Sequence, residues 1–255
     1  MSDWTPLEEE LERWADAGEI PAFWLRDDDA IEPTEALEKL LAVTRAFAVP
    51  LALAVIPALA KPVLAERLAT ETAVSVLQHG FAHANHAVVG AKKSEFADDR
   101  PIAAMTEELV QARAVISRLF GARALSVFAP PWNRIGAKAT QALLDAGITG
   151  LSRFKPRQSA EAAPGVVEVN THVDLIDWRA GRVGKTLGVV TAEIAAHLAA
   201  KRTGAADRNE PTGLLAHHLV TDSQGWAAME AILERLAGDR RVRFAAPPSF
   251  FAEQG

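Results

Sequence analysis

Three aspartates, Asp27, Asp28 and Asp29, stand in a row at the end of the apolar run "FWLRDDDA" (23–30). Adjacent carboxylates repel, and a site that gathers them normally has a cation or a proton to share. The aspartates could be a solvated turn ahead of a helix cap near Pro33, but Phe23, Trp24 and Leu25 before them read as buried. A dication nearby would stabilise their ionised forms. His79 and His83 are four residues apart, with His86 three further on. A spacing of four puts two imidazoles on one face of a helical turn, where both nitrogens reach one metal. Alone, such a pair is as often a core or surface feature as a pair of metal ligands. Joined to one aspartate, it makes a three-ligand site with an open position for water, as in catalytic zinc centres.

Other polar clusters recur along the chain. His217-His218 closes the apolar run "GLLA", either as a hydrogen-bonded strand end or as a general acid, since histidine exchanges protons near neutral pH. His197 lies inside an Ala-rich helix and reads as structural. "PPWNRIG" (130–136) is either a turn opening a helix or a site wall. As a wall it offers Trp132 to a sugar face or acyl group and backbone N–H groups to a developing oxyanion. "HVDLIDW" offers Asp174 and Asp177 to orient a catalytic histidine, or to pair with Arg179 and Arg182, and Trp178 to the site or to the core.

The elements that would carry these residues alternate. "AFWLRDD" (22–28), "PLALAVIP" (50–57), "VSVLQHG" (74–80), "LSVFAPP" (125–131), "VVEVNTHVD" (166–174), "GLLAHHL" (213–219) and "VRFAAP" (242–247) read as buried strands, and "TGLSRF" (149–154) as a weaker one. Helices lie between them. Pro33-Thr34 opens one running to about Phe47, Met105, Leu109, Ala112 and Ile116 line another that Gly121 stops, and Gly147 ends a third. Thr191 reads as the cap of "AEIAAHLAAKR", and a last helix carries Trp226, Met229, Leu233 and Leu236 to Gly238. Apolar strands alternating with helices imply an α/β fold with a parallel sheet covered on both faces, here a barrel of about seven strands. In such barrels the chemistry lies at the carboxyl ends of the strands, where all five polar clusters fall.

The 255 residues, 49% hydrophobic, suit a single barrel domain spanning 1–255 with residues 1–20 as a helical extension. Trp4, Leu7, Leu11 and Trp14 of that extension pack on their own barrel or on a partner subunit, so a homo-oligomer is one expectation. A net charge of −6 offers no field for nucleic acid or an anionic membrane. The absence of cysteine excludes disulfides and thiolate metal sites. With no basic-then-apolar leader and no apolar run of transmembrane length, a cytoplasmic location is expected.

The order of the motifs resembles the polysaccharide deacetylase superfamily (carbohydrate esterase family 4), in a cytoplasmic bacterial branch carrying "DDD", "HGxxHxNH", "PPWNR" and "LLxHH". The resemblance covers roughly residues 22 to 220. It implies a distorted (β/α) barrel and one divalent metal, zinc foremost with cobalt, nickel or manganese as alternatives, hydrolysing an N-acetyl amide. By position, Asp28 falls on the general base, Asp29, His79 and His83 on the metal ligands, His217 on the general acid, and Asp177 on the acid of the Asp-Trp motif. Trp132, Asn133, Arg134, Trp178, His86 and His218 are candidates for substrate contact. The implied partner is a small N-acylated molecule or an oligosaccharide.

Strand geometry bears on that assignment. In a regular strand Asp27 and Asp29 point together while Asp28 points away, so Asp28 and Asp29 share a site only if the strand bends there. Two residues depart from the family pattern. Ala30 replaces a glycine, and Ala129 replaces an arginine whose guanidinium Arg26 or Arg134 would have to supply. The alternatives are hydrolysis of another non-peptide C–N bond on the same fold and a catalytically silent sugar-binding module. Ala129 favours the silent module; Asp28 and His217 together favour an enzyme.

Overall fold

The structure, a computed structural model, describes residues 3–251. Its strands are β1 (Ala22–Ala30), β2 (Leu51–Val55), β3 (Val74–His79), β4 (Ala124–Ala129), β5 (Gly150–Leu151), β6 (Glu161–Ala163), β7 (Val166–Glu168), β8 (Val173–Asp174), β9 (Ile176–Asp177), β10 (Val183–Gly184), β11 (Thr212–Ala216) and β12 (Arg243–Phe244). The helices are α1 (Thr5–Asp16), α2 (Glu35–Ala46), α3 (Pro62–Leu68), α4 (Ile102–Phe120), α5 (Ala137–Ala142), α6 (Leu187–Arg202), α7 (Ser223–Ala237) and α8 (Pro248–Phe251).

The sheet runs β6-β7-β5-β4-β3-β2-β1-β11-β8, with β12 added beside β1. Every pairing in it is parallel except β6 with β7. The run 166–174, expected as one strand, divides into β7 on β5 and β8 on β11. The chain itself bridges the two margins of the sheet through residues 169–172, and this closes a barrel of about seven parallel strands, as expected from the sequence. Backbone bonds cross the seam, Val169 N–H donating to Leu151 O, Thr171 N–H to Arg153 O and His172 N–H to Gly213 O, and side chains reinforce it. Arg153 pairs with Glu168 at 2.6 Å, and the buried Glu210 accepts the N–H groups of Asn170 (2.8 Å) and Arg157 (3.1 Å).

Strand alternation sorts side chains between two cores. Phe23, Leu25, Leu51, Leu53, Val55 and Val76 pack outward under the helices, while Trp24, Ala52, Ala54, Leu77 and Ala129 fill the interior. The small interior alanines leave room for one large ring, Trp24, which meets Phe250 and Phe251 of α8 edge-on at 5.3 and 6.0 Å. Arg26 and Asp28 continue the inward series of Trp24 and carry charge into the upper barrel. Between Asp27 and Ala30 the register against β2 shifts, and Asp29 takes a φ of 76°. This bulge turns Asp29 to the same side as Asp28 and returns Ala30 to the outer core.

Helix punctuation follows the sequence in most places. Thr34 caps α2 by accepting the Leu37 N–H at 3.1 Å, Gly121 ends α4 with positive φ, and Gly147 does the same for the short 3-10 turn Leu144–Ala146 that follows α5. Thr191 does not cap α6. The helix begins at Leu187, and the Thr191 hydroxyl donates back to the Gly188 carbonyl at 3.1 Å. A mid-helix threonine satisfied in this way carries no cap signal. α1 packs on its own barrel: Leu7, Leu11 and Trp14 are buried, Trp14 Nε1 donates to Leu198 O of α6, and Glu10 pairs with Arg202 at 2.7 Å. Each such apolar side chain contributes about 2 kcal/mol on burial. No helix among the described residues is long and apolar enough to cross a membrane.

Candidate active site

β3 delivers His79 at its last residue. The imidazole Nδ1 donates to the Ala129 carbonyl at 2.9 Å, which fixes the tautomer and leaves Nε2 without a proton in the neutral ring. That Nε2 lies 3.2 Å from Asp29 Oδ1, and His83 Nε2 lies 3.3 Å from the same oxygen. Asp29 Oδ1 is buried and has no hydrogen-bond donor. Two imidazole nitrogens and a carboxylate oxygen thus converge within 4.8 Å of one another. Such donors meeting at one point fit a cation between them, and an N2O set suits zinc and its neighbours among the divalent transition metals.

The electrostatics agree. Burial works against an ionised Asp29, yet His79, His217 and His83 outweigh it and hold the carboxyl well below the usual range. Burial likewise opposes a charged His79, and Asp28 and Asp29 overcome it and push its pKa up. His83 is pulled down, first by burial and then by His79.

His83 is not on a helical turn. It follows β3 in an irregular loop with φ 57°, so the four-residue spacing converges through a bend in the chain. The loop is wound around Glu95, a fully buried carboxylate that accepts the N–H groups of Phe81 (3.0 Å), Ala82 (2.8 Å) and Ala84 (3.1 Å). Nothing in the sequence marks Glu95, because one acid in a polar loop has no periodicity to reveal it. Gly80 makes the turn possible. Its φ is +64°, and a Cβ there would lie 2.1 Å from Glu95 Oε2 and 2.6 Å from Pro131 Cγ. Gly80→Ala is expected to cost about 3 kcal/mol of stability and to weaken metal binding by displacing His83. Thermal melts with and without added zinc measure this, and an unchanged zinc-induced shift would show that the loop absorbs the methyl group.

The three aspartates have three different environments. Asp27 is fully buried and bound to His218, whose backbone N–H and Nδ1 reach its two oxygens at 2.8 and 2.5 Å. Asp28 faces Arg26 in a two-point ion pair, Nε to Oδ1 at 2.9 Å and Nη2 to Oδ2 at 3.0 Å. Arg26 is itself fully buried, and it also donates to Ser152 O and Oγ and to Asn133 Oδ1. The guanidinium beside Asp28 is thus that of Arg26, on β1. Arg134 is exposed and donates to the Lys93 carbonyl.

His217, just past β11, approaches Asp28 Oδ2 at 4.0 Å through Nε2 and Asp174 Oδ1 at 3.9 Å through Nδ1. Trp178 meets its ring edge-on at 4.8 Å and donates Nε1 to Asp174 Oδ2. Burial pushes the Asp174 carboxyl up, against the pull of His217 and of the N–H bonds it accepts. Asp177, the expected site acid, points elsewhere: its Oδ1 accepts the N–H groups of Arg179 and Ala180 in the β9–β10 turn. The two-residue β9 sets Asp174 and Asp177 apart, and Asp174 is the carboxylate beside the histidine. Trp132 packs on His83 at 4.5 Å and walls that side of the site. His218 lies beneath the site, held by Asp27, and His86 is exposed, its backbone N–H donating to Ser94 O.

Solved structures of known proteins are similar to this one across most of the chain. A family 4 carbohydrate esterase from Streptomyces lividans in complex with acetate is 18% identical, with a TM-score of 0.55 over 87% of this chain and 90% of its own. A peptidoglycan N-acetylglucosamine deacetylase is 16% identical, with a TM-score of 0.59 over 90% and 87%. A mutant of a CE4 family pseudoenzyme with restored enzymatic activity is 13% identical, with a TM-score of 0.59 over 92% and 68%. No protein-family model matches the chain, and no curated protein matches it in sequence. The fold is that of the polysaccharide deacetylases, as the order of the sequence motifs implied.

Proposed function

We propose that this chain is a metal-dependent hydrolase of the polysaccharide deacetylase type that cleaves an N-acyl amide, acetyl foremost, of a sugar or related small molecule. The observation that carries this reading is the convergence of Asp29 Oδ1 with the Nε2 atoms of His79 and His83, beside Asp28 and His217. Asp29, His79 and His83 hold the divalent cation, which when bound polarises an amide carbonyl and acidifies a water.

The chain's own groups do the remaining work. Asp28 takes the proton of the attacking water at a carboxylate oxygen, and Arg26 fixes the plane of that carboxylate by gripping both its oxygens. His217 gives a proton from Nε2 to the departing nitrogen, which an amine needs in order to leave. Asp174 faces the His217 ring from the Nδ1 side at 3.9 Å and favours its charged form, and Trp178 packs edge-on against it. The 4.0 Å between His217 Nε2 and Asp28 Oδ2 separates acid from base without a direct hydrogen bond. Trp132 offers an apolar face to the substrate on the side of His83.

The silent sugar-binding module drew its support from Ala129. The grip of Arg26 on Asp28 answers that substitution and supports turnover. Metal content of protein purified without chelator or nickel resin, beside His79→Ala, tests the reading. About one equivalent of transition metal is expected in the parent and a large loss in the variant. Acetate release from N-acetylated sugars should follow the metal. A parent that takes up no metal after soaking would remove the proposed chemistry.

A further inference from the structure

The end of the barrel opposite the metal site carries a second cleft. It lies where the parallel strands β1, β11 and β12 begin, is walled by the last turns of α1 and α6, and encloses about 370 Å³. Pro21, Ala22 and the exposed Ile20 form an apolar wall, while Lys201, Arg208 and Arg243 supply positive charge.

Lys201 is the unusual member. Its side chain lines the cleft and is only 2% exposed, yet among the described residues it makes no ion pair. Its Nζ donates to the Glu210 carbonyl at 2.5 Å and to Thr212 Oγ1 at 3.4 Å, so one of its three N–H groups is unused. A buried ammonium is costly unless an anion accompanies it. Burial pushes its pKa down to about 8, Glu210 and Asp207 pull it back up, and Arg157 and Arg243 add repulsion.

The acids nearby are committed elsewhere. The Glu210 carboxylate accepts the N–H groups of Asn170 and Arg157 and lies 3.1 Å from His172 Nε2. His172 Nδ1 accepts the Gly213 N–H, so the neutral ring carries its proton on Nε2, the side of Glu210. Asp207 pairs with Arg157 at 2.7 Å, and Glu19 pairs with Arg208 at 2.5 Å on the wall of the cleft. Arg243 is exposed and makes no ion pair among the described residues. Two cations, Lys201 and Arg243, therefore face one cleft with no carboxylate bound to either, in a chain whose net charge is −6.

We propose that this cleft binds a small organic anion, its charged group at Lys201 and Arg243 and its apolar body against Ile20, Pro21 and Ala22. The anion supplies the partner that the chain itself does not give to Lys201. The site is separate from the metal centre and does not depend on the reaction catalysed there.

Titration calorimetry on the full chain with benzoate, phenyl phosphate and the neutral benzyl alcohol tests this. At least one anionic probe is expected to bind with a Kd of about 1 mM or tighter at low salt, and benzyl alcohol about tenfold or more weaker. Arg243→Gln, an exposed substitution, should weaken the anion about fivefold. Lys201→Met should abolish its binding if the variant folds, and His79→Ala should leave it unchanged. Benzoate and phenyl phosphate distinguish a carboxylate from a phosphate site. No saturation by either anion up to about 10 mM, equal binding of benzyl alcohol, or an affinity untouched by Arg243→Gln would overturn the inference. Binding lost in His79→Ala would do the same, because it would place the anion at the metal ligands.

Discussion

Asp28→Asn is expected to lower kcat by about 10²- to 10⁴-fold, the range that a positioned general base contributes, while the protein still binds metal. The amide of asparagine keeps the shape of the carboxylate and one acceptor for Arg26, but it cannot take the proton of water. Asp27→Asn is the control. Its carboxylate is spent on His218, so the loss should appear in the unfolding midpoint more than in turnover at a temperature where the variant is folded. Steady-state kinetics and urea unfolding on the two variants separate the roles. A dead Asp27→Asn beside an active Asp28→Asn would reverse the proposed assignment.

Arg26→Met is expected to cost about 3–5 kcal/mol of folding stability, because it leaves Asp28 as a buried charge without its partner. Arg26→Lys should recover only part, since an ammonium cannot reproduce a guanidinium grip on two carboxylate oxygens while also reaching Ser152 and Asn133. Adding Asp28→Leu to Arg26→Met removes the stranded charge and should restore some of the loss at the expense of all activity. Urea unfolding of the single and double variants closes the cycle. If Arg26→Met unfolds like the parent, the ion pair contributes little and another group must hold the base.

Much of this was legible in the chain. The strands β1 to β4 and β11 are continuous apolar runs because both their faces are covered, and such runs stand out from amphipathic helices. The clustering of polar residues at strand ends followed from the parallel order alone. The bulge at Asp28 and Asp29 was not legible, because a register shift is a property of the pairing with β2 and no residue type announces it. Arg26 was visible as one of two possible sources of the guanidinium, and only the packed barrel separates it from Arg134, which points to the Lys93 carbonyl. Asp174 and Asp177 were indistinguishable for a similar reason: which one faces His217 depends on a hairpin two residues wide on each arm. Glu95 was missed outright, since its partners are backbone N–H groups, which nearly every residue possesses.

The placement of Arg26 on β1 has a consequence for how such a centre can be inherited or transplanted. The proposed base, its counter-ion and one metal ligand occupy a single stretch of four residues, 26–29, on one strand. Where the counter-ion comes from a separate turn, two segments must mutate in concert to preserve the base. Here they travel as one cassette. The turn at 130–136 adds the Asn133 contact to it, and an engineer grafting the cassette onto another barrel would have two imidazoles and an acid left to place.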